Sequence, residues 1–253
     1  METRSERTSV TWKPAVVGPL AFALVLAGFL AAAPAASAAL DLARFSVTPS
    51  TTKTGGHPNL DVLVSFDPPT SDLQTLALHL PAGLRVSPRA APFCARGALL
   101  ADLCPLATKV GSLDLVGEAL GFEAEVVRNA YNVKPLGAER LRLGVSIFGS
   151  ASRGGAAVYL LTTARPSDGG LDVAIAGPPR EVAGYPVRLK QVRFRLKGVV
   201  RRKRRHRRRR RRRALVTNPA SCAPATSVLE LSAYVGPPLH VQTSSSFTPT
   251  GCR

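Results

Sequence analysis

Val62, Val64 and Phe66 fall on one side of an extended chain, with Asp61 and Ser65 on the other. The same alternation returns in Leu76, Leu78 and Leu80 against Thr75, Ala77 and His79. Strand side chains change face at every residue and helical ones return about every 3.6 residues, so this pattern specifies half-buried strands. No long segment repeats at the helical period. Further strands are expected over Lys109–Val116, Phe122–Val133, Leu141–Phe148, Ala157–Thr163, Leu171–Ala176, Ser227–Val235 and His240–Phe247. Asp67–Asp72 with its Pro-Pro pair predicts a turn, Pro81-Ala82-Gly83 closes a strand, and Ala98–Leu103 predicts a short helical turn. Ser167-Asp168-Gly169-Gly170 predicts a tight hairpin turn, because glycine supplies positive φ without steric cost. Composition agrees: 21 Gly and 21 Pro in 253 residues disfavour a helical bundle, and 45% hydrophobic residues are too many for a wholly disordered chain. The expected fold is all-β, a β-sandwich-like module of about ten strands, with two subdomains meeting near Pro135 as the variant.

The start of the chain sets its destination. Arg4, Arg7 and Lys13 precede an apolar run from Ala15 to Ala33, which leads into Pro34-Ala35-Ala36-Ser37-Ala38. Positive, apolar and small residues in that order make a secretory signal peptide over 1–38, cleaved after Ala38. Pro14, Gly18, Pro19 and Gly28 make the run a poor membrane anchor. The exported region, 39–253, carries four cysteines, Cys94, Cys104, Cys222 and Cys252, and an even count in an exported chain predicts two disulfides. Three connectivities exist. Local pairing, Cys94 with Cys104 and Cys222 with Cys252, is preferred because each pair sits in its own segment.

Charge is concentrated late in the chain. In Tyr185–Gly198, Val187 and Leu189 are out of phase with Val192, Phe194 and Leu196, and a bulge near Gln191 restores one buried face. The other face then carries Arg188, Lys190, Arg193, Arg195 and Lys197. Thirteen residues follow almost at once: Arg201, Arg202, Lys203, Arg204, Arg205, His206, Arg207, Arg208, Arg209, Arg210, Arg211, Arg212 and Arg213. This tract holds +12 of the formal +18. It repels itself and buries no apolar surface, so it is expected as a disordered loop. Both basic segments are candidate polyanion contacts, with salt-dependent and unspecific binding. The export signal and the absence of interleaved aromatics disfavour nucleic acid as the partner. An anionic envelope polymer or lipid surface fits the location. The plain alternative is a tolerated arginine expansion, since Arg outnumbers Lys 27 to 7.

Familiar chemistry is missing. Gly144-Val145-Ser146-Ile147-Phe148 fails the nucleophile-elbow pattern at its last position. There is no zinc-protease, phosphate-loop or dinucleotide motif, and His57, His79, His206 and His240 are scattered. No cofactor or metal is expected, and no catalytic residue is assigned. His79 reads as a satisfied strand residue, and Asp67, Asp72 and Asp168 as turn residues.

Several phrases together resemble a known family. They are Phe45-Ser46-Val47-Thr48-Pro49 leading to Gly55-Gly56-His57-Pro58-Asn59-Leu60, Leu80-Pro81-Ala82-Gly83-Leu84, Cys104-Pro105 before Val110-Gly111, Tyr131-Asn132-Val133, Thr217-Asn218-Pro219-Ala220-Ser221-Cys222 and Thr250-Gly251-Cys252. The chain is similar to secreted β-module proteins of high-GC actinobacteria, a family without established activity. The resemblance implies the same local cysteine pairing and carries over no functional residue. The Arg tract departs from it. The functional expectation is a non-enzymatic, secreted or cell-envelope module with a structural or adhesive role. The alternatives are a secreted carbohydrate-binding or hydrolytic domain and a cationic nucleic-acid- or membrane-active protein.

Overall fold

The structure, a computed structural model, describes residues 40–146, 157–164, 170–176, 180–182, 185–204, 207–234 and 240–252. The expected signal peptide, 1–38, lies outside the described residues, as do Ile147, Phe148, Val235, Arg205, His206 and most of the expected Ser167–Gly170 turn.

The described chain is mostly strand. It runs through β1 (Leu42–Pro49), β2 (Leu60–Thr70), β3 (Leu73–Leu80), β4 (Arg85–Val86), α1 (Arg96–Leu100), β5 (Lys109–Ala119), β6 (Phe122–Val133) and β7 (Glu139–Ser146). It continues through β8 (Ala157–Ala164), β9 (Leu171–Ala176), β10 (Glu181–Val182), β11 (Tyr185–Pro186) and β12 (Arg188–Leu196). Last come β13 (Val199–Arg204), β14 (Arg207–Ala214), β15 (Val216–Thr217), β16 (Ala225–Ala233) and β17 (His240–Phe247). Two 3-10 turns, Pro88–Ala90 and Leu106–Thr108, flank α1.

Where alternation is clean, expectation and structure agree. Val62, Val64, Phe66, Leu76, Leu78 and Leu80 are all buried. The Asp67–Asp72 turn is shorter than expected, because β2 continues to Thr70 and only Ser71 and Asp72 remain between strands. The helical turn begins two residues early, at Arg96. The strands β1, β4, β10, β13, β14 and β15 have no counterpart in the sequence reading. β1 is an outermost strand with only Val47 fully buried, so its pattern is blurred.

Eleven strands form one antiparallel sheet in the order β1-β2-β12-β5-β6-β7-β8-β9-β3-β16-β17. The connection through Pro135 joins β6 to β7 within it. The sheet curls until its outermost strands meet: Val47 N–H donates to Ser245 Oγ at 3.0 Å, and beyond both strands Thr54 N–H donates to Thr250 O at 2.9 Å. The two outermost strands thus lie against each other, which shields edges that in an open sheet invite aggregation. The main apolar core lies inside, and it includes residues of β2, β3, β5, β7, β12 and β16.

Antiparallel order sorts the connections between two ends. At one end β12, β3 and β6 finish and β5 and β7 begin. The long β3-to-β5 connection crosses this end and plugs it: Leu84, Ala90 and Ala91 join the core beside Leu215 and Val216 from the far side of the tract. Asn132 on β6 pins the plug. Its Nδ2 donates to Pro88 O at 2.8 Å and Ala91 O at 2.9 Å. Both disulfides form with the expected local pairing, Cα–Cα distances being 5.5 Å for Cys94–Cys104 and 5.9 Å for Cys222–Cys252.

Candidate functional site

The basic strand β12 lies between β2 and β5. Its expected bulge is present: Leu189 sits opposite Gly117 and Gln191 opposite Val116, so Lys190 is the extra residue. The insertion shifts phase by one, and Leu189, Val192 and Leu196 all reach the core.

The polar face of β12 is not a free cationic stripe. Arg193 grips Asp61 of β2, with Nε to Oδ1 at 2.9 Å and Nη2 to Oδ2 at 2.5 Å. Arg195 Nη1 reaches Asp114 Oδ2 of β5 at 2.9 Å. Arg188 donates through Nη2 to Pro69 O at 3.0 Å and lies 3.8 Å from Glu118 of β5. Lys190, carried outward by the bulge, pairs with Glu123 of β6. The Arg193 guanidinium holds the Asp61 carboxyl below its ordinary range. Lys197 differs: partial desolvation lowers its pKa and like charge on Lys109 lowers it further. No carboxylate pairs with it among the described residues.

The four acidic partners were invisible along the chain. Each lies on the polar face of another strand, up to 132 residues away. Opposite charges at facing or diagonal cross-strand positions attract, but only register shows which positions face. Arg193 sits opposite Asp114 and diagonal to Asp61, and Arg195 has the reverse arrangement.

The arginine tract departs from the expected disordered loop. Its backbone forms a two-stranded ladder, with Val199 opposite Ala214, Arg201 opposite Arg212 and Lys203 opposite Arg210. The reason lies at the base. Val200 is buried in the core, and Gly198 O accepts from Leu215 N–H at 2.8 Å, so both legs are clamped side by side before the charges begin. Extending an existing ladder adds no further loop closure. Arg201, Arg212 and Arg213 are exposed.

On the opposite side of the sheet sequence, His79 of β3 links its two neighbours. Its Nδ1 lies 2.8 Å from Asp172 Oδ1 of β9, and its Nε2 lies 3.3 Å from Glu230 Oε2 of β16. The Asp172 hydrogen bond raises the imidazole pKa, with partial burial opposing and Glu230 adding to the rise. The two carboxylates flank the ring, so this cluster ties three strands together.

Two disulfides fit an oxidising, extracellular environment. Among the described residues no helix is long and apolar enough to cross a membrane. No family model, curated protein or solved structure matches the chain.

Proposed function

We propose that this chain is an exported, non-enzymatic module of a cell envelope that binds polyanions through the β13–β14 hairpin. One observation carries the reading. Eight of the sixteen acidic residues already face cations outside the tract: Asp61, Asp72, Asp114, Glu118, Glu123, Glu139, Asp172 and Glu230. The other eight acidic residues are fewer than the tract's twelve cations, and two of them, Glu2 and Glu6, lie in the export signal. The hairpin therefore keeps a large positive excess, while β12 is largely neutralised by its own sheet. The contact narrows from both basic segments to the hairpin, with Lys197 at its root.

Binding of this kind releases counterions and falls steeply with salt. The exported chain should be retained on immobilised dextran sulfate at about 0.15 M salt and elute as salt rises. A variant with Arg201–Arg213 replaced by Asn-Gly keeps buried Val200 and should pass through. Retention of that variant at the wild-type salt midpoint would overturn the proposal.

A further inference from the structure

We infer that the polyanion is an anionic lipid surface, and that the loop closed by Cys94–Cys104 enters it beside the cationic hairpin. The inference rests on the polyanion reading above and adds the kind of surface. Four large apolar side chains stand in solvent at the plugged end: Leu106 is 78% exposed, Leu103 74%, Leu136 57% and Phe93 43%. The topology puts them at the end from which the hairpin leaves. Leu106 lies three residues before β5, whose Val110 O accepts from Lys197 N–H at 2.8 Å, and β13 begins two residues beyond Lys197. Leu136 follows β6, and Cys94 N–H donates to Asn132 O of that strand at 2.7 Å.

The loop is built to hold Leu103, and Phe93 and Leu106 at its two ends, outward. Leu99, Cys94 and Cys104 are buried against Tyr131 and Val133, so its inner side is a small fixed core. Its outer side is flanked by cations as well as apolar, with exposed Arg96 before the leucines, half-buried Lys109 after them, and exposed Lys134 beside Leu136. Asp102 is the opposing carboxylate in the loop. A hydrated polymer offers exposed leucines nothing to displace water into. A second copy of the chain would bring an equally cationic face. An anionic bilayer accepts both features, since acyl chains take the leucines and headgroups take the arginines.

The test uses the exported chain with oxidised disulfides, vesicles of phosphatidylcholine with and without phosphatidylglycerol, and dextran sulfate as a polyanion without acyl chains. Leu103→Ser with Leu106→Ser removes two exposed side chains and leaves the buried loop core intact. It should weaken vesicle binding about tenfold and leave dextran sulfate retention unchanged. Trp12, the chain's single tryptophan, lies in the export signal, so Leu106→Trp gives a clean reporter. Its emission should shift to the blue on phosphatidylglycerol vesicles and stay put with dextran sulfate. Equal vesicle binding by the double variant, or no shift on bound vesicles, would overturn the insertion. Retention on dextran sulfate without vesicle binding would overturn it while leaving the polyanion reading standing. Failure on both supports would remove both proposals.

Discussion

Asn132 carries the sharpest test of how the plug is held. Its side chain is fully buried, and its amide nitrogen serves the carbonyls of Pro88 and Ala91 at 2.8 and 2.9 Å. Asn132→Asp keeps the volume and exchanges the donor for an acceptor. Each buried carbonyl that loses its partner costs about 1–3 kcal/mol, so two lost bonds cost about 2–6 kcal/mol. The new carboxylate would also face two carbonyl oxygens without a donor, and such a site favours the protonated acid. Protonation restores one donor, so the loss should be smallest near pH 4. Because the folded-state pKa of the introduced group is raised, the folded chain binds more protons than the unfolded one. Stability should therefore fall further as pH rises above about 4. Asn132→Leu removes the donors without adding charge, and its loss should not depend on the charge state of this site. The assay is urea unfolding followed by far-UV circular dichroism at pH 4 and pH 7, with disulfides intact. For a chain of this size about 3 kcal/mol corresponds to roughly 6–12 °C in Tm. The reasoning is refuted if Asn132→Asp matches wild type at pH 7, or if its loss is the same at both pH values.

Three further outcomes are expected. The His79 pKa is raised, so its stabilisation is complete below about pH 6.5 and is lost as pH rises through the folded-state value. His79→Gln should cost about 1 kcal/mol at pH 5.5 and less at pH 9, and thermal melts with equal losses at both would count against the cluster. Leu120 sits at a φ of 54° in the two-residue β5–β6 turn and is exposed, so Leu120→Asn should raise stability by about 0.5–1 kcal/mol, read as a higher urea midpoint. A Cβ on Gly198 would strike the carbonyls of His57 and Pro58, where the hairpin leaves the sheet. Gly198→Ala should therefore lower stability by about 2–3 kcal/mol in the same assay, and an unchanged midpoint would show that the backbone there can yield.

What the sequence determined by itself is what depends on neighbours along the chain. Alternation in Leu60–Phe66 and Leu76–Leu80 marks a buried face because strand geometry is local. The phase slip between Leu189 and Val192 betrayed the bulge for the same reason. The cysteine pairing was legible because each loop is short, 10 and 30 residues. Tertiary structure decided the rest. β12 reads as a cationic stripe along the chain, and only the register of β2, β5 and β6 supplies Asp61, Asp114, Glu118 and Glu123 to neutralise it. The tract reads as a loop, and only the clamp at Gly198 and Val200 sets its legs side by side. The exposed leucines at 103 and 106 and the arginine hairpin lie far apart in sequence. They share one end because an antiparallel sheet returns every second connection to the same side, a long-range consequence of pairing that no local pattern encodes.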